Sequence, residues 1–274
     1  MLLRHTLPAL LACATLTLLP AAGAQASPAD TVDTKVTVGP AVKAPVSKKA
    51  VPFCESHKCI ALTFDDGPSA NTTKLLATLK KYKAKATFFV MGSQVKKHPV
   101  LTKNIAKGGH EVGNHTWSHP WLTDLSSGEI YKEINETQKV IKKATGKTPT
   151  LFRAPGGLTD EDVNAVAAKL KLIQIPGTVS TKDYVKDYRN VEFLTTAALE
   201  VAGPGEVILM HETVKETVDS MPKVLATLQK QGYFFVTVSK LLEGQKLVPG
   251  ESYPQRSVDE VDDGDELSGP GGEV

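Results

Sequence analysis

The chain has 274 residues, 41% of them hydrophobic and 23% charged, which is enough apolar material for one large or two small globular domains and too much for a disordered or fibrous protein. A formal net charge of +2 excludes a strongly basic nucleic-acid binder at the level of the whole chain. The charge is unevenly spread: residues 27–250 hold 30 Lys/Arg against 22 Asp/Glu, whereas residues 251–274 hold eight acids against Arg256 alone.

In chain order, the first feature reads as a targeting signal. Arg4, an apolar stretch from Leu7 to Leu19, Pro20, and the small-x-small triplets Ala22-Gly23-Ala24 and Ala24-Gln25-Ala26 have the three-part layout of a secretory leader over residues 1–26. The apolar run is shorter than the ~20 residues of a membrane crossing, so no stable membrane anchor is expected. No Phe, Trp or Tyr precedes Phe53, and residues 27–50 are rich in Pro, Ala, Val, Thr and Lys, the composition of a disordered linker. Cys13 leaves with the leader. Cys54 and Cys59 remain, an even pair in an oxidising destination, and four residues between them suit a small disulfide loop before a strand. A metal site from Cys54, His57 and Cys59 would lack a fourth ligand. The folded body is expected over residues 51–247 as one domain, followed by an acidic disordered tail, 248–274.

Within the body, short apolar runs alternate with amphipathic stretches. Strands are predicted at Cys59–Asp65, Ala86–Met91, Glu111–Asn114, Thr150–Arg153, Leu170–Ile175, Val207–His211 and Tyr233–Val238. Helices are predicted near 70–82, 93–107, 126–144, 160–169, 191–202 and 216–231. Seven strands alternating with helices define an α/β chain with a parallel sheet, and at this size a closed or nearly closed (β/α) barrel. The run Ala86–Met91 is apolar on both faces, as a helix-covered strand should be.

In such barrels chemistry gathers where strands end and loops begin. After the first strand come Asp65, Asp66, Gly67 and Pro68. Adjacent carboxylates are costly to bury unless a cation or proton offsets them, and Gly67-Pro68 stops the strand with both at its mouth. After the third strand come His115 and His119, four apart and on one face if the segment coils helically. Joined to an acid from the Asp pair they make a two-histidine, one-carboxylate set with coordination positions left open, the arrangement of a catalytic rather than a structural zinc. After the fourth strand comes Arg153, an arginine leaving an apolar strand and in need of a carboxylate partner. His211 follows the apolar run Val207–Met210, and residue type alone leaves it as a third ligand, a general acid or a core residue.

These motifs, Asp65-Asp66-Gly67-Pro68, His115-Thr116-Trp117-Ser118-His119-Pro120, Arg153-Ala154-Pro155, Asp183 and Leu209-Met210-His211, resemble in order and spacing those of the polysaccharide deacetylases, the NodB-homology domain. The resemblance extends over about residues 51–247, and the cysteine loop is similar to that of secreted actinobacterial members. It implies a distorted seven-stranded (β/α) barrel and a divalent metal, usually zinc, held by Asp66, His115 and His119. It further implies Asp65 as general base, oriented by Arg153, and His211 as general acid, paired with Asp183. Two positions depart from the family pattern. Gly156 stands where an aromatic residue is usual, keeping a backbone N–H for the oxyanion but removing a wall. Tyr184 stands where tryptophan is usual and still lines an acetyl pocket. The implied activity is removal of N-acetyl groups from a GlcNAc polymer, peptidoglycan or chitin, by a secreted monomer. O-deacetylation of xylan, and a wall-binding protein without turnover, are the alternatives.

Overall fold

The computed structural model describes residues 51–255. The expected leader and linker, and the acidic stretch from residue 256 onward, lie outside the described residues. The central strand, β1 (Cys59–Asp65), is buried along its whole length. β2 (Thr87–Val90) and β8 (Phe234–Val236) pair with the second and first halves of one edge, and β7 (Val207–His211) pairs with the other. From β2 the sheet continues through β3 (Glu111–Asn114) and β4 (Leu151–Phe152) to β5 (Ile173–Gln174); from β7 it continues to β6 (Val179–Ser180). Every pairing is parallel. The result is a curled parallel sheet, a seven-strand path with β8 attached to β1, and its ends at β5 and β6 are not zipped together.

All seven predicted strands are present. The unpredicted one, β6, is two residues long, below the length at which alternation can be read. The predicted helix over 93–107 is two, α2 (Gly92–Lys97) and α3 (Pro99–Lys107). Pro99 disfavours helical backbone at the residue before it, and His98 breaks out at φ −128°, ψ 54°. The other predicted helices appear as α1 (Thr72–Lys81), α4 (Ser127–Thr145), α5 (Glu161–Lys169), α6 (Val191–Glu200) and α7 (Lys215–Lys230), with a final turn α8 (Val238–Leu241). Helix α4 begins in a Ser126–Glu129 capping box and ends at Gly146, whose φ of 80° is left-handed.

The two-residue period of β1 positions the chemistry. Ile60, Leu62 and Phe64 pack with Leu75 and Leu79 of α1 and with Val218, Met221 and Leu225 of α7. Cys59 and Ala61 face the opposite way, into a cluster with Phe89, Leu151, Ile175, Val207 and Val236. By alternation Thr63 and Asp65 share that inner face, so the strand ends with a carboxylate turned into the curl of the sheet. Among the described residues no helix is long and apolar enough to cross a membrane.

The expected tail boundary is too early. Residues 248–255 lie along the edge strand β5: Gln174 N–H donates to Glu251 O at 2.9 Å, Tyr253 N–H donates to Gln174 O at 2.9 Å, and Gly250 N–H donates to Leu172 O at 2.8 Å. Tyr253 is buried among Ile173, Leu241, Leu242 and Leu247. The acidic composition that follows masked one aromatic anchor and the backbone groups of an edge strand that need partners. A chain ended after residue 247 should unfold with about 3 kcal/mol less stability than one ended after 255, as measured by denaturant titration. Equal midpoints would mean that the segment only rests on the surface.

Candidate active site

The site lies at the C-terminal ends of β1, β3, β4 and β7. Arg153, the residue after β4, is 2% exposed and is the largest fully buried side chain. Its Nη1 donates to Asp65 Oδ1 and to Thr63 Oγ1, each at 2.8 Å, and its Nε donates to Ile175 O at 2.7 Å. The guanidinium also lies 4.3 Å from the centre of the Phe89 ring, and Thr63 in turn donates to Ile208 O. The partner predicted for Arg153 is therefore Asp65, joined by a threonine that the sequence did not single out. Burial pushes the Asp65 carboxyl above the usual carboxylate range; the charge and hydrogen bond of Arg153 and the charge of His211 pull it back only in part.

The Arg153 carbonyl has a second task. His115 Nδ1 lies 2.8 Å from it, and a carbonyl can only accept, so the proton is on Nδ1 and the Nε2 lone pair faces outward. That Nε2 is 3.5 Å from Asp66 Oδ1, and His119 Nε2 is 3.6 Å from the same oxygen. Burial drives the pKa of His115 down to about 3, so the ring stays neutral and keeps its lone pair.

The two histidines are not placed by a helix. Residues 115–121 form a loop in which Thr116 (φ 62°) and His119 (φ 64°) take left-handed backbone conformations that few non-glycine residues adopt. Thr116 N–H donates to Asn114 Oδ1, and His119 N–H donates to Thr116 Oγ1. Glu133, from α4, accepts the N–H groups of Trp117 and Ser118 and the Ser118 hydroxyl. The rings end 5.0 Å apart, centroid to centroid. Glu133 carried no local signal, because its partners lie 15 and 16 residues away.

Asp66 has a φ of 69°, and one ligand atom each from Asp66, His115 and His119 fall within 4.8 Å of one another; Asp65 Oδ2 also lies 3.8 Å from His115 Nε2. Asp66 Oδ1, between the two imidazoles, is buried and makes no hydrogen bond. A carboxylate oxygen without a hydrogen bond, within 3.6 Å of a ring nitrogen of each histidine, is an arrangement that a divalent cation would satisfy, so the donor set fits the expected metal.

Across the site, His211 Nδ1 is 2.7 Å from Asp183 Oδ1, while Asp183 Oδ2 accepts from the backbone N–H of His211 and from the Thr217 hydroxyl. The far nitrogen, Nε2, is 4.0 Å from Asp66 Oδ2. Burial works against a charged ring, but the bond and charge of Asp183, with the charges of Asp65 and Asp66, outweigh it and lift the His211 pKa to about 9. The Tyr184 ring is 6.2 Å from that of His211, with the residue 42% exposed. Gly156 occupies the turn after β4 at φ 64°, and open space surrounds the position its Cβ would take. Trp121 is exposed and Trp117 is partly buried. Cys54 and Cys59 form a disulfide with Cα atoms 5.4 Å apart, and His57 stacks on Phe53 instead of joining a metal cluster. Sequence reading also missed Glu212, fully buried beside His211; burial raises its pKa to about 8, a hydrogen bond from Thr72 lowering it and the charge of Asp66 raising it further.

Residues 54–175 match the family model described as Polysaccharide deacetylase. The chain is 43% identical over 204 residues to the peptidoglycan-N-acetylglucosamine deacetylase PgdA of Listeria monocytogenes, covering 74% of this chain and 42% of that protein. It is 37% identical over 193 residues to a peptidoglycan-N-acetylglucosamine deacetylase of Bacillus cereus, covering 68% of this chain and 89% of that one. The solved peptidoglycan deacetylase PdaC of Bacillus subtilis superposes with a TM-score of 0.65 at 43% identity, over 69% of this chain and 91% of that one. The chain belongs to the polysaccharide deacetylase family.

The His211–Asp183 pair is open to direct test. Its contribution to stability is complete below about pH 6.5 and is lost as pH rises through about 9, because the folded state holds the proton more tightly than the unfolded one. In the metal-free protein, imidazole NMR should show His211 titrating near pH 9, and Asp183→Asn should bring that titration about 1–3 pH units lower. An unmoved titration would mean that Asp183 does not hold the charge.

Proposed function

We propose that the chain is a secreted, zinc-dependent deacetylase that removes N-acetyl groups from the GlcNAc residues of peptidoglycan. The observation that carries this reading is the division of labour among the buried groups. A carboxylate lifted by burial, Asp65, is paired in register across β1 and β7 with an imidazole held protonated by Asp183, and both stand beside the Asp66–His115–His119 donor set. A protein that only bound glycan would have no use for that opposition.

In this reading Asp66, His115 and His119 hold the ion. When bound, it would polarise the acetyl carbonyl and acidify an attacking water. Asp65 takes the proton of that water as oxygen adds to the acetyl carbon, and Arg153 keeps the base aimed at it. The backbone N–H of Gly156 is assigned to the developing oxyanion, and Tyr184 to the wall of the acetyl pocket. His211 gives its proton to the amide nitrogen as the C–N bond breaks, so that acetate and a free amine leave. An amine needs this proton more than an alcohol does, which favours the amide over the ester of acetylxylan. All of these groups come from one chain, and nothing in the proposed chemistry calls on a second copy.

Peptidoglycan is preferred over chitin because all three relatives above are named as peptidoglycan deacetylases, although the chain spans only about 42% of the length of the Listeria one. Secretion is supported by the leader-like pattern at residues 1–26, by the disulfide, and by a substrate that lies outside the membrane. The test is acetate release from peptidoglycan, acetylated chito-oligosaccharides and acetylxylan, with and without a chelator. Peptidoglycan should be the preferred substrate and chelation should stop the reaction. Asp65→Asn should lower kcat by about 10²–10⁴-fold while zinc remains bound. Acetate from none of the three by a zinc-loaded protein would return the reading to a glycan binder. Loss of zinc in Asp65→Asn would show the two carboxylates to be exchanged.

A further inference from the structure

We infer that Glu212 is a positioning residue for the cation site, a strut that sets the turn carrying Asp66 from beneath and ties it to the strand that carries His211. The inference rests on the ligand set proposed above. Glu212 follows His211 at the end of β7 and is fully buried. Its side chain runs under the Asp65–Pro68 turn so closely that a Cβ on Gly67 would fall 1.4 Å from Glu212 Oε1. Gly67 is thus glycine for a reason beyond turn geometry: the carboxyl occupies the volume any side chain there would need.

The other carboxyl oxygen, Oε2, accepts the Thr72 hydroxyl, and the same hydroxyl oxygen accepts the Ser69 N–H at 2.8 Å. The backbone carbonyl of Glu212 accepts from Ser69 Oγ at 3.2 Å and from Asn71 Nδ2 at 3.0 Å. Residue 212 therefore holds the segment that follows Asp66 at three points, Ser69, Asn71 and Thr72, and fills the space under a fourth, Gly67. The turn is also bound by a backbone contact from the residue after β2, Met91 N–H to Gly67 O at 3.0 Å.

Asp66 needs such support. Its φ of 69° is a conformation that an aspartate holds only when its surroundings demand it, and a cation site tolerates little error in where its carboxylate points. Glu212 touches neither imidazole, and no contact places it against substrate. Its action on the site runs through backbone shape, not charge. That gives the inference its signature: the amide, which has the same shape, should serve nearly as well as the acid.

The experiment uses the full chain with Co²⁺ as the probe, reading affinity by calorimetry and ligand geometry from the visible d–d absorption, with thermal melting alongside. Glu212→Ala should weaken Co²⁺ binding by about 10–100-fold and alter the absorption envelope. Glu212→Gln should stay within about threefold of the parent and keep its spectrum, because it fills the same space and still accepts from Thr72. Thr72→Val, which removes the hydroxyl but keeps the volume, should weaken binding by several-fold, about half the effect of the alanine variant on a logarithmic scale. Should Glu212→Ala fail to fold, Thr72→Val decides. Parent-like affinity and spectrum in Glu212→Ala, or in Thr72→Val where that variant decides, would overturn the inference; so would a loss in Glu212→Gln as large as in Glu212→Ala. His115→Ala separates this from the reading beneath it: if the parent binds no Co²⁺, or His115→Ala binds it as the parent does, the ligand set itself is wrong.

Discussion

A guanidinium with 2% of its surface exposed, lying on the face of Phe89, is stable only if its charge is met. Asp65 meets it, and the consequences spread from that pair to both sides of the site. On one side the bond fixes the carboxylate at the mouth of β1 while burial keeps it a better proton acceptor than an ordinary aspartate. On the other, the Arg153 carbonyl fixes the tautomer and direction of His115, hence the lone pair that the proposed ion would use. One residue after β4 thus orients a proposed base by its side chain and a proposed ligand by its backbone. Truncating either partner to alanine would leave a buried charge alone and cost stability, whereas Asp65→Asn keeps an oxygen that can accept from the guanidinium.

The electrostatic design is an opposition across a short distance. Asp65 and Asp66 are neighbours in the chain yet have different surroundings: one is fully enclosed and paired with Arg153, the other is turned by a left-handed backbone towards two imidazoles. Adjacent carboxylates repel; Arg153 meets the charge of Asp65, and in the proposed reading the bound ion would meet that of Asp66. His211 completes the arrangement because Asp183 outweighs the cost of burying its charge.

Much of this was legible in the sequence, for a physical reason. A parallel sheet covered by helices writes its strands as apolar runs, and polar residues at the ends of those runs must be partnered. Asp65, Asp66, His115, Arg153 and His211 all stand at such ends, which is why residue type and position together pointed to them. What was illegible depends on contacts between distant segments. A helical coil would have put His119 and His115 on one face; the segment is instead a loop whose left-handed turns are held by Glu133 from a helix that follows it. Thr63 and Thr217 bridge charged groups through single hydroxyls, a role no local pattern announces. Strand β6 is too short to alternate, and Tyr253 is one aromatic residue inside an acidic context. Glu212 did leave a trace, an acid next to an apolar run, but its partner was a glycine, and what a glycine lacks is not written in the sequence.

The central claim is that Asp66, His115 and His119 meet on one open-sided ion. X-ray absorption at the zinc edge of the stoichiometrically loaded protein tests it most directly, because it counts scatterers around the metal and separates imidazole from oxygen and sulfur. A single ion with two imidazoles and the remaining positions filled by oxygen is the result expected here. A spectrum showing sulfur ligands, or fewer than two imidazoles, would contradict it.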